Sequence, residues 1–467
     1  MAKKYRNITE TIVANDLCIG CGVCAAVCPP SVLDMRFNNN AEYVATEFRD
    51  GCLPKCDLCF RACPFVDGND DEDTLGELAF GKVNDINHHK DAGYYLGSFV
   101  GHTLATEQRL NSSSGGLTRW FLLELLRKNI VDHIICVFPN DDPEKLFKYS
   151  SVANSDEIAN ASHSSYYPVE LSEQLRTVIS HEGRYAIIGL PCYIKAIKLA
   201  MKKSKRLNAR IKLTAALVCG QTKSKYYAQY LTALGGGEHQ TLQSVNFREK
   251  DAARSANDFG FHFTCKSGDV KEKTINWSDG VGKAYTRGYF KPNACNFCDD
   301  IFGELADVSF MDAWVNPYMD DYRGTNFILT RNREIENIFM EARTQKEIVF
   351  DKIDFNFILE SQRGVINLKK HQLGYRLSLA RIMGRKHVPH KRISPSRFAP
   401  YRLIQTMVAA LYAPLSKYLF RLTVKRSNTK HSLIIFHRYM SVLYFFHKVV
   451  NYLEVLLLRF TKMTGVK

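Results

Sequence analysis

Cys18-Ile-Gly-Cys21-Gly-Val-Cys24-Ala-Ala-Val-Cys28-Pro29 is the stretch from which the rest of the chain is read. Thiolates at i, i+3 and i+6 wrap a short loop around one iron–sulfur cubane. The fourth, set before a proline, starts a helix and reaches across to a neighbouring cubane. A second run follows, Cys52-x3-Cys56-x2-Cys59-x3-Cys63-Pro64, with one more residue between its first pair. In a chain of 467 residues with 14 Cys, four prescribed cysteines coincide by chance at about one start position in a million. Two such runs therefore predict two crossed ligand sets. Cys18, Cys21, Cys24 and Cys63 form the first, and Cys52, Cys56, Cys59 and Cys28 form the second.

Residues 1–66 thus read as a two-cluster [4Fe-4S] ferredoxin-like unit. Disulfides are disfavoured, because the basic residues Lys3, Lys4 and Arg6 have no apolar segment of a signal peptide behind them. Zinc sites use two separated Cys pairs, and neither run has that form. Reduced cysteines and iron–sulfur ligation predict a cytoplasmic setting.

Composition is ordinary for a globular protein, 45% hydrophobic and 24% charged. The charge is unevenly placed. Residues 369–467 hold 20 Lys and Arg against one acid, Glu454, so residues 1–368 carry −4 of the chain's overall +15. No run of 18 apolar residues is present, which argues against a spanning helix. The expected organisation continues with an acidic linker (67–92), two regions of a catalytic core (93–170 and 171–345) and a helical basic tail (346–467). Asp67, Asp70, Asp71, Glu72 and Asp73 crowd the linker and predict a solvated loop.

Within the core the pattern alternates. Strands are predicted over 93–105, 131–138, 185–189 and 212–218, with helices over 117–128 and 193–203. Strand–helix–strand order argues for parallel pairing, and the polar/aromatic alternation over 245–277 for antiparallel strands. The predicted fold class is α/β with a mixed sheet. Between a strand and a helix lies Asn111-Ser112-Ser113-Ser114-Gly115-Gly116. Small residues there let backbone N–H groups meet an anion at a helix start; a plain N-cap and turn is the alternative. Arg248 and Lys250 are candidates for binding a phosphate or an acidic group, or they form a solvated strand edge.

Four further cysteines bear on chemistry. Cys192 follows the strand 185–189 and Cys219 ends the strand 212–218. Parallel neighbours would place both at one carboxyl edge, where ligands collect in such sheets. With Cys295 and Cys298 they supply four thiolates for a third cubane. The alternative is two buried packing cysteines and a zinc half-site or surface pair. Cys136 and Cys265 sit inside strand patterns as packing residues.

Ser113-Ser-Gly-Gly, Ser162-His-Ser-Ser-Tyr166 before Pro168, Gly189-Leu-Pro-Cys192, Val245-Asn-Phe-Arg-Glu-Lys250, Cys295-x2-Cys298 and Ala306-Asp-Val-Ser-Phe-Met-Asp-Ala-Trp314 occur in that order. Together they resemble the beta subunits of coenzyme F420 hydrogenases and dehydrogenases over residues 93–345. The resemblance implies FAD near the Ser112–Gly116 turn and an iron–sulfur cluster in the core. It also implies an oxidoreductase that moves electrons between clusters, FAD and an organic donor or acceptor. Some members are encoded among polysaccharide-synthesis genes, so a surface-glycan context is expected. A redox partner protein or ferredoxin and a small organic substrate are the expected partners. A non-catalytic electron-delivery subunit is the rival reading.

The tail combines Lys391-Arg392 and Lys425-Arg426 with apolar helical segments over 403–422 and 441–460. Two readings stand: a helical hairpin packed on the core, or a peripheral helix on the inner, anionic face of a membrane. Nucleic acid is not an expected partner, since no groove-reading motif is present.

Overall fold

The computed structural model describes residues 7–161, 163–389, 392–397, 400–425 and 429–464. Ser162, Lys391 and Arg426 lie outside them, as do residues 1–6 and the side chain of Glu454. The N-terminal unit is built from two short helices, Val23–Ala26 and Leu58–Arg61, and a hairpin of β1 (Leu33–Phe37) and β2 (Tyr43–Glu47). It docks on the core by backbone bonds, with the Leu171 N–H donating to the Cys21 carbonyl at 3.0 Å. Arg176 Nη2 donates to the carbonyls of Ala25 and Leu33, both at 3.2 Å.

The stretch expected to be a solvated linker is structured instead. Asp71 caps a helix over Glu72–Phe80, its side chain accepting from the Thr74 N–H. Glu72 is buried and paired with buried Lys195 at 3.0 Å. Glu72 alone of the five acids is withdrawn from water, because a cation from elsewhere in the chain meets it, which a local reading of composition does not register. The hairpin of β3 (Asn87–His89) and β4 (Gly93–Tyr95) leads from there into the core.

The core is a mixed sheet of β5 (Gly97–Thr103), β6 (His133–Pro139), β7 (Phe147–Val152), β8 (Tyr185–Gly189), β9 (Ile211–Leu217), β13 (Val308–Asp312), β14 (Asn326–Thr330) and β15 (Ile348–Lys352). Their order is β15-β5-β14-β13-β9-β8-β6-β7. The centre, β13-β9-β8-β6, is parallel, and antiparallel strands complete both edges. Helices Leu117–Arg127 and Arg333–Thr344 cover one face, where Phe99, Phe121, Phe339 and Phe350 stack. Helices Ser172–Ser180 and Pro191–Met201 lie on the other, joined to the core of the N-terminal unit. β10 (Leu242–Glu249), β11 (Gly260–Cys265) and β12 (Glu272–Asn276) form a separate antiparallel sheet, as the alternation predicts.

One sheet spans two of the expected boundaries. The division at residue 170 falls inside one sheet, since β6 pairs with β8. The tail begun at 346 first supplies β15, which closes the sheet edge against β5. Its helices Pro400–Leu422 and Thr429–Thr464 then pair as a hairpin. Phe420 and Phe436 of the hairpin pack on Phe290, at 5.6 and 6.0 Å between ring centroids. Buried Lys417 meets buried Glu42 of the N-terminal unit at 2.7 Å. No helix among the described residues is long and apolar enough to cross a membrane.

Candidate functional site

The N-terminal cysteines converge. Burial pushes the Cys21 thiol up to about 12, with Cys18 nearby adding to it. Burial likewise raises Cys24, followed by the charges of Cys21, Cys18, Cys63 and Cys59. Cys63 and Cys59, both from the second run, thus lie near the first three. Cys52 and Cys56 sit half-buried on a loop whose neighbours Gly51, Leu53, Pro54 and Lys55 are exposed, and Cys28 is half-buried as well. All fourteen cysteines are free of disulfides.

The core cysteines come together from three segments. β8 and β9 are parallel neighbours with Gly189 opposite Ala216, so Cys192 and Cys219 emerge at one sheet edge. Cys295 and Cys298 reach them on a short 3-10 turn, Asn293–Phe297. The Cys219 N–H donates to the Ile301 carbonyl at 3.0 Å and fixes the two loops together. All four line one cavity, which Ile19 and Phe65 of the N-terminal unit close from the other side. Burial raises Cys192 far above the ordinary thiol value, with Cys298, Cys219 and Cys295 adding to it. Sulfurs that burial and mutual repulsion keep protonated become thiolates when a multiply charged cation centre neutralises them. That donor set fits an iron–sulfur cluster. Among the described residues no group of three or more His, Cys, Asp or Glu is already drawn together as for a bound metal ion.

The Ser112–Gly116 turn is held by the protein's own groups. Ser114 Oγ donates to the Thr325 carbonyl, and Ser113 Oγ accepts from the Ser164 N–H, both at 2.7 Å. The helix-start N–H of Leu117 is met by Asn326 Oδ1 at 3.1 Å. A Cβ on Gly115 would stand 2.8 Å from the Gly101 carbonyl oxygen and 2.9 Å from Asn326 N. Gly116 has φ +84°, a conformation glycine adopts freely. The glycines are therefore needed for packing the turn onto β5 and β14.

Arg248 and Lys250 form no solvated edge. Arg248 is buried against Phe259 and Trp314, and its Nη2 donates to Asp312 Oδ1 at 2.7 Å and to the Ser113 carbonyl at 3.3 Å. Lys250 Nζ donates to the carbonyls of Arg109, Ser114 and Arg323, at 2.5, 2.9 and 2.5 Å. Both hold the turn from beneath. Fully internal partners, supplied by β13 and by the loop before β14, are what the local sequence pattern could not reveal.

Beside the turn opens a cavity of about 750 Å³ lined by Gln108, Asn111, Arg119, His163, Ser164 and Phe247, among others. Gln108 Nε2 and His163 Nδ1 are buried there without a partner. Burial, with Arg119, Lys250 and Arg248 nearby, lowers His163 to about 4, so it is neutral at physiological pH. Its volume, two orphaned polar atoms and an arginine fit a flavin nucleotide with its phosphate groups. Phe247 touches Tyr166 (5.6 Å) and Tyr166 touches Tyr285 (5.1 Å). A Cβ on Gly220, next to Cys219, would stand 3.7 Å from Tyr285 Oη, so this aromatic run leads from the cavity towards the core cysteines.

A buried ion network completes the surroundings. Arg392 Nη1 lies 2.6 Å from Glu304 and its Nε 3.2 Å from Asp299, and Lys370 Nζ lies 3.1 Å from Glu304. None of this is visible in sequence, where these cations read as part of a solvated basic tail.

Comparison with known proteins matches two family models that divide the beta subunit of coenzyme F420 hydrogenase/dehydrogenase between them. The model of its N-terminal part covers residues 99–176, and the model of its C terminus covers 182–355. A 4Fe-4S binding domain model covers residues 11–34. An uncharacterized protein of Methanocaldococcus jannaschii is 21% identical over 80% of this chain and 99% of its own length. A component of the F420H2 dehydrogenase of Methanosarcina mazei is 23% identical over 73% of this chain and 86% of its own. Among solved structures, a chain of the F420-reducing [NiFe] hydrogenase complex from Methanosarcina barkeri aligns with 14% identity, 61% of this chain, 93% of that one and a TM-score of 0.47.

Proposed function

We propose, from the premise that this chain belongs to the family of coenzyme F420 hydrogenase/dehydrogenase beta subunits, that it is an iron–sulfur flavoprotein oxidoreductase exchanging electrons between a redox partner and a small organic molecule. Membership already makes it an iron–sulfur redox protein of an oxidoreductase family. The observation that carries the finer reading is the shared wall between the two cysteine regions. Ile19, next to Cys18, and Phe65, two residues from Cys63, close the cavity of the core cysteines. Cys52, Cys56, Cys59 and Cys28 would hold an outer cluster, the first set an inner one, and Cys192, Cys219, Cys295 and Cys298 a third.

When bound, clusters supply one-electron carriage and FAD supplies the interchange between one- and two-electron chemistry. The chain's own residues do the rest. Ile19 and Phe65 keep water from the core cysteines. Arg248 and Lys250 hold the Ser112–Gly116 turn that forms a wall of the flavin cavity. Neutral His163 offers a donor or acceptor, and Arg119 a positive charge, to the group lodged there. The exposed loop around Cys52 and Cys56 is the surface for a redox partner.

Anaerobically purified protein tests the proposal through its iron, sulfide and flavin content. F420H2 is the first donor to try, because the matched family and the M. mazei relative are named for it. Bound flavin bleached by a donor and restored by an acceptor supports the enzyme. Protein that neither carries flavin nor takes it up is an electron-delivery subunit instead.

A second reading rests on the tail hairpin. Its outer face leaves Ile404, Met407, Leu411, Ile434, Phe445 and Phe446 exposed at helical spacing, in a segment of strong positive charge. An anionic membrane surface complements both features. Co-sedimentation with anionic and neutral vesicles, for the full chain and F445E/F446E, tests it; equal recovery in the supernatant rejects the membrane.

A further inference from the structure

The two regions of cysteine sulfurs stand in opposite electrostatic surroundings. Beyond burial and backbone hydrogen bonds, Glu42, itself paired with Lys417 at 2.7 Å, and Asp16 act on Cys18, and Glu170 acts with Cys18 on Cys21. Around the core set the named side-chain charges include cations: Lys369 acts on Cys192, Cys219 and Cys295, and Lys291 on Cys295 as well. Lys369 is only 3% exposed and lines the same cavity as the four cysteines. Its Nζ donates to the Cys219 carbonyl at 3.0 Å and to the Asp300 carbonyl at 2.6 Å. Both are neutral acceptors, so no carboxylate bond cancels its charge there.

Arg376 stands at the opposite cysteine pair. Its Nε donates at 2.7 Å to the carbonyl of Asn296, which lies between Cys295 and Cys298. Its Nη2 is buried and has no acceptor. An orphaned, buried guanidinium N–H is costly unless an acceptor arrives, and a sulfur-rich anionic group at these cysteines is such an acceptor. Of the nearby carboxylates, Glu304 is engaged by Arg392 and Lys370 and Asp299 by Arg392, while buried Asp300, which acts on both Lys369 and Cys219, accepts from the Gly303 and Glu304 N–H groups. Lys369 and Arg376 both follow residue 355, where the family match ends. They belong to the helical segment that continues the chain past β15.

We propose that Lys369 and Arg376 form a cationic cap that sets the reduction potential of the cluster held by Cys192, Cys219, Cys295 and Cys298 above those of the two ferredoxin-type clusters. This rests on the three-cluster reading given above. Reduction adds one negative charge to a cubane, and a cation held nearby in a water-poor site favours the more negative state. Net charge, hydrogen bonds to sulfur and solvent exposure are the established levers on such potentials. The cap uses the first two and the wall of Ile19 and Phe65 the third. A higher potential at the core set makes electron flow from the exposed Cys52–Cys56 loop towards the large cavity downhill.

The test is a redox titration of full-length, anaerobically purified protein, monitored by electron paramagnetic resonance, with iron counted in every sample. C295S/C298S identifies the core component as the signal it lacks. K369Q should shift that component alone to lower potential, K369R should restore most of the shift, and R376Q should shift it in the same direction. Wild-type protein with about 8 Fe per chain, not about 12, overturns the three-cluster reading and the cap with it. With about 12 Fe present, unchanged potentials in K369Q and R376Q overturn the cap alone. If K369Q loses the core component, R376Q decides, because it leaves the Lys369 bond to the Cys219 loop in place.

Discussion

The N-terminal cysteine runs and the core cysteine set present the same donor atom under opposite conditions. In the runs, three of four ligands come from one loop of seven or eight residues, and the outermost lie near water. In the core set, Cys192, Cys219 and the Cys295/Cys298 pair are brought in from three segments by parallel pairing of β8 and β9 and by the Asn293–Phe297 turn. A local loop can be read from spacing. A site assembled by a sheet edge depends on every strand that sets that edge, and here Cys192 and Cys298 are buried and Cys219 and Cys295 half-buried.

The largest effect separating the two regions is in metal content. C295S/C298S should lower iron from about 12 to about 8 per chain, and C21S/C24S should do the same by emptying a ferredoxin set. The two products are told apart by spectroscopy. Iron unchanged in C295S/C298S would break the comparison, for the core cysteines would then hold nothing. Deleting residues 1–90 is a poorer test, since it also removes Glu72 and takes from buried Lys195 its ion-pair partner.

Next in size is the charge network behind the core set. Arg392→Met takes one cation from buried Glu304, which keeps Lys370, and from buried Asp299, at a cost of about 3–5 kcal/mol. Anaerobic denaturant unfolding measures it; a loss below about 1 kcal/mol, the range of exposed pairs, would show that the network is solvated. Smaller again is Gly115→Ala, whose methyl must intrude on the Gly101 carbonyl and Asn326. We expect about 1–3 kcal/mol of destabilisation and loss of bound flavin with both ferredoxin sets still loaded. Flavin retained at wild-type level would separate the turn from the cavity.

The smallest effect belongs to the outer run. Arg61 and Asp57 pair at 2.9 Å with both side chains about half exposed, and Arg61→Ala should cost no more than about 1 kcal/mol. A larger loss would mean that the outer run is as integrated as the core set.

Much of this molecule is legible in its sequence. Spacing identifies both cysteine runs, and alternation identifies β6, β8, β9, the helix Leu117–Arg127 and the antiparallel strands β10–β12 within a few residues. The order of motifs points to the family. Where the reading fails, it fails on charge. Glu72 is expected in a solvated linker, Arg248 and Lys250 at a phosphate or a wet strand edge, and Lys369 and Arg392 in a basic tail. All are turned inward, because each meets a partner far away in the chain.

Cysteine spacing alone determined that this protein builds a ferredoxin-type ligand frame, because such a loop needs only a few adjacent residues and their backbone geometry. Hydrophobic periodicity alone determined a mixed α/β core, because burying one face of each element imposes a local period. Only the tertiary structure decided that four scattered cysteines share a cavity, that Lys369 lines it with Arg376 beside Cys295 and Cys298, and that Ile19 and Phe65 contribute to its wall. Those outcomes depend on which strands neighbour one another and on the desolvation of charges from distant segments, and neither quantity is a property of any local stretch of sequence.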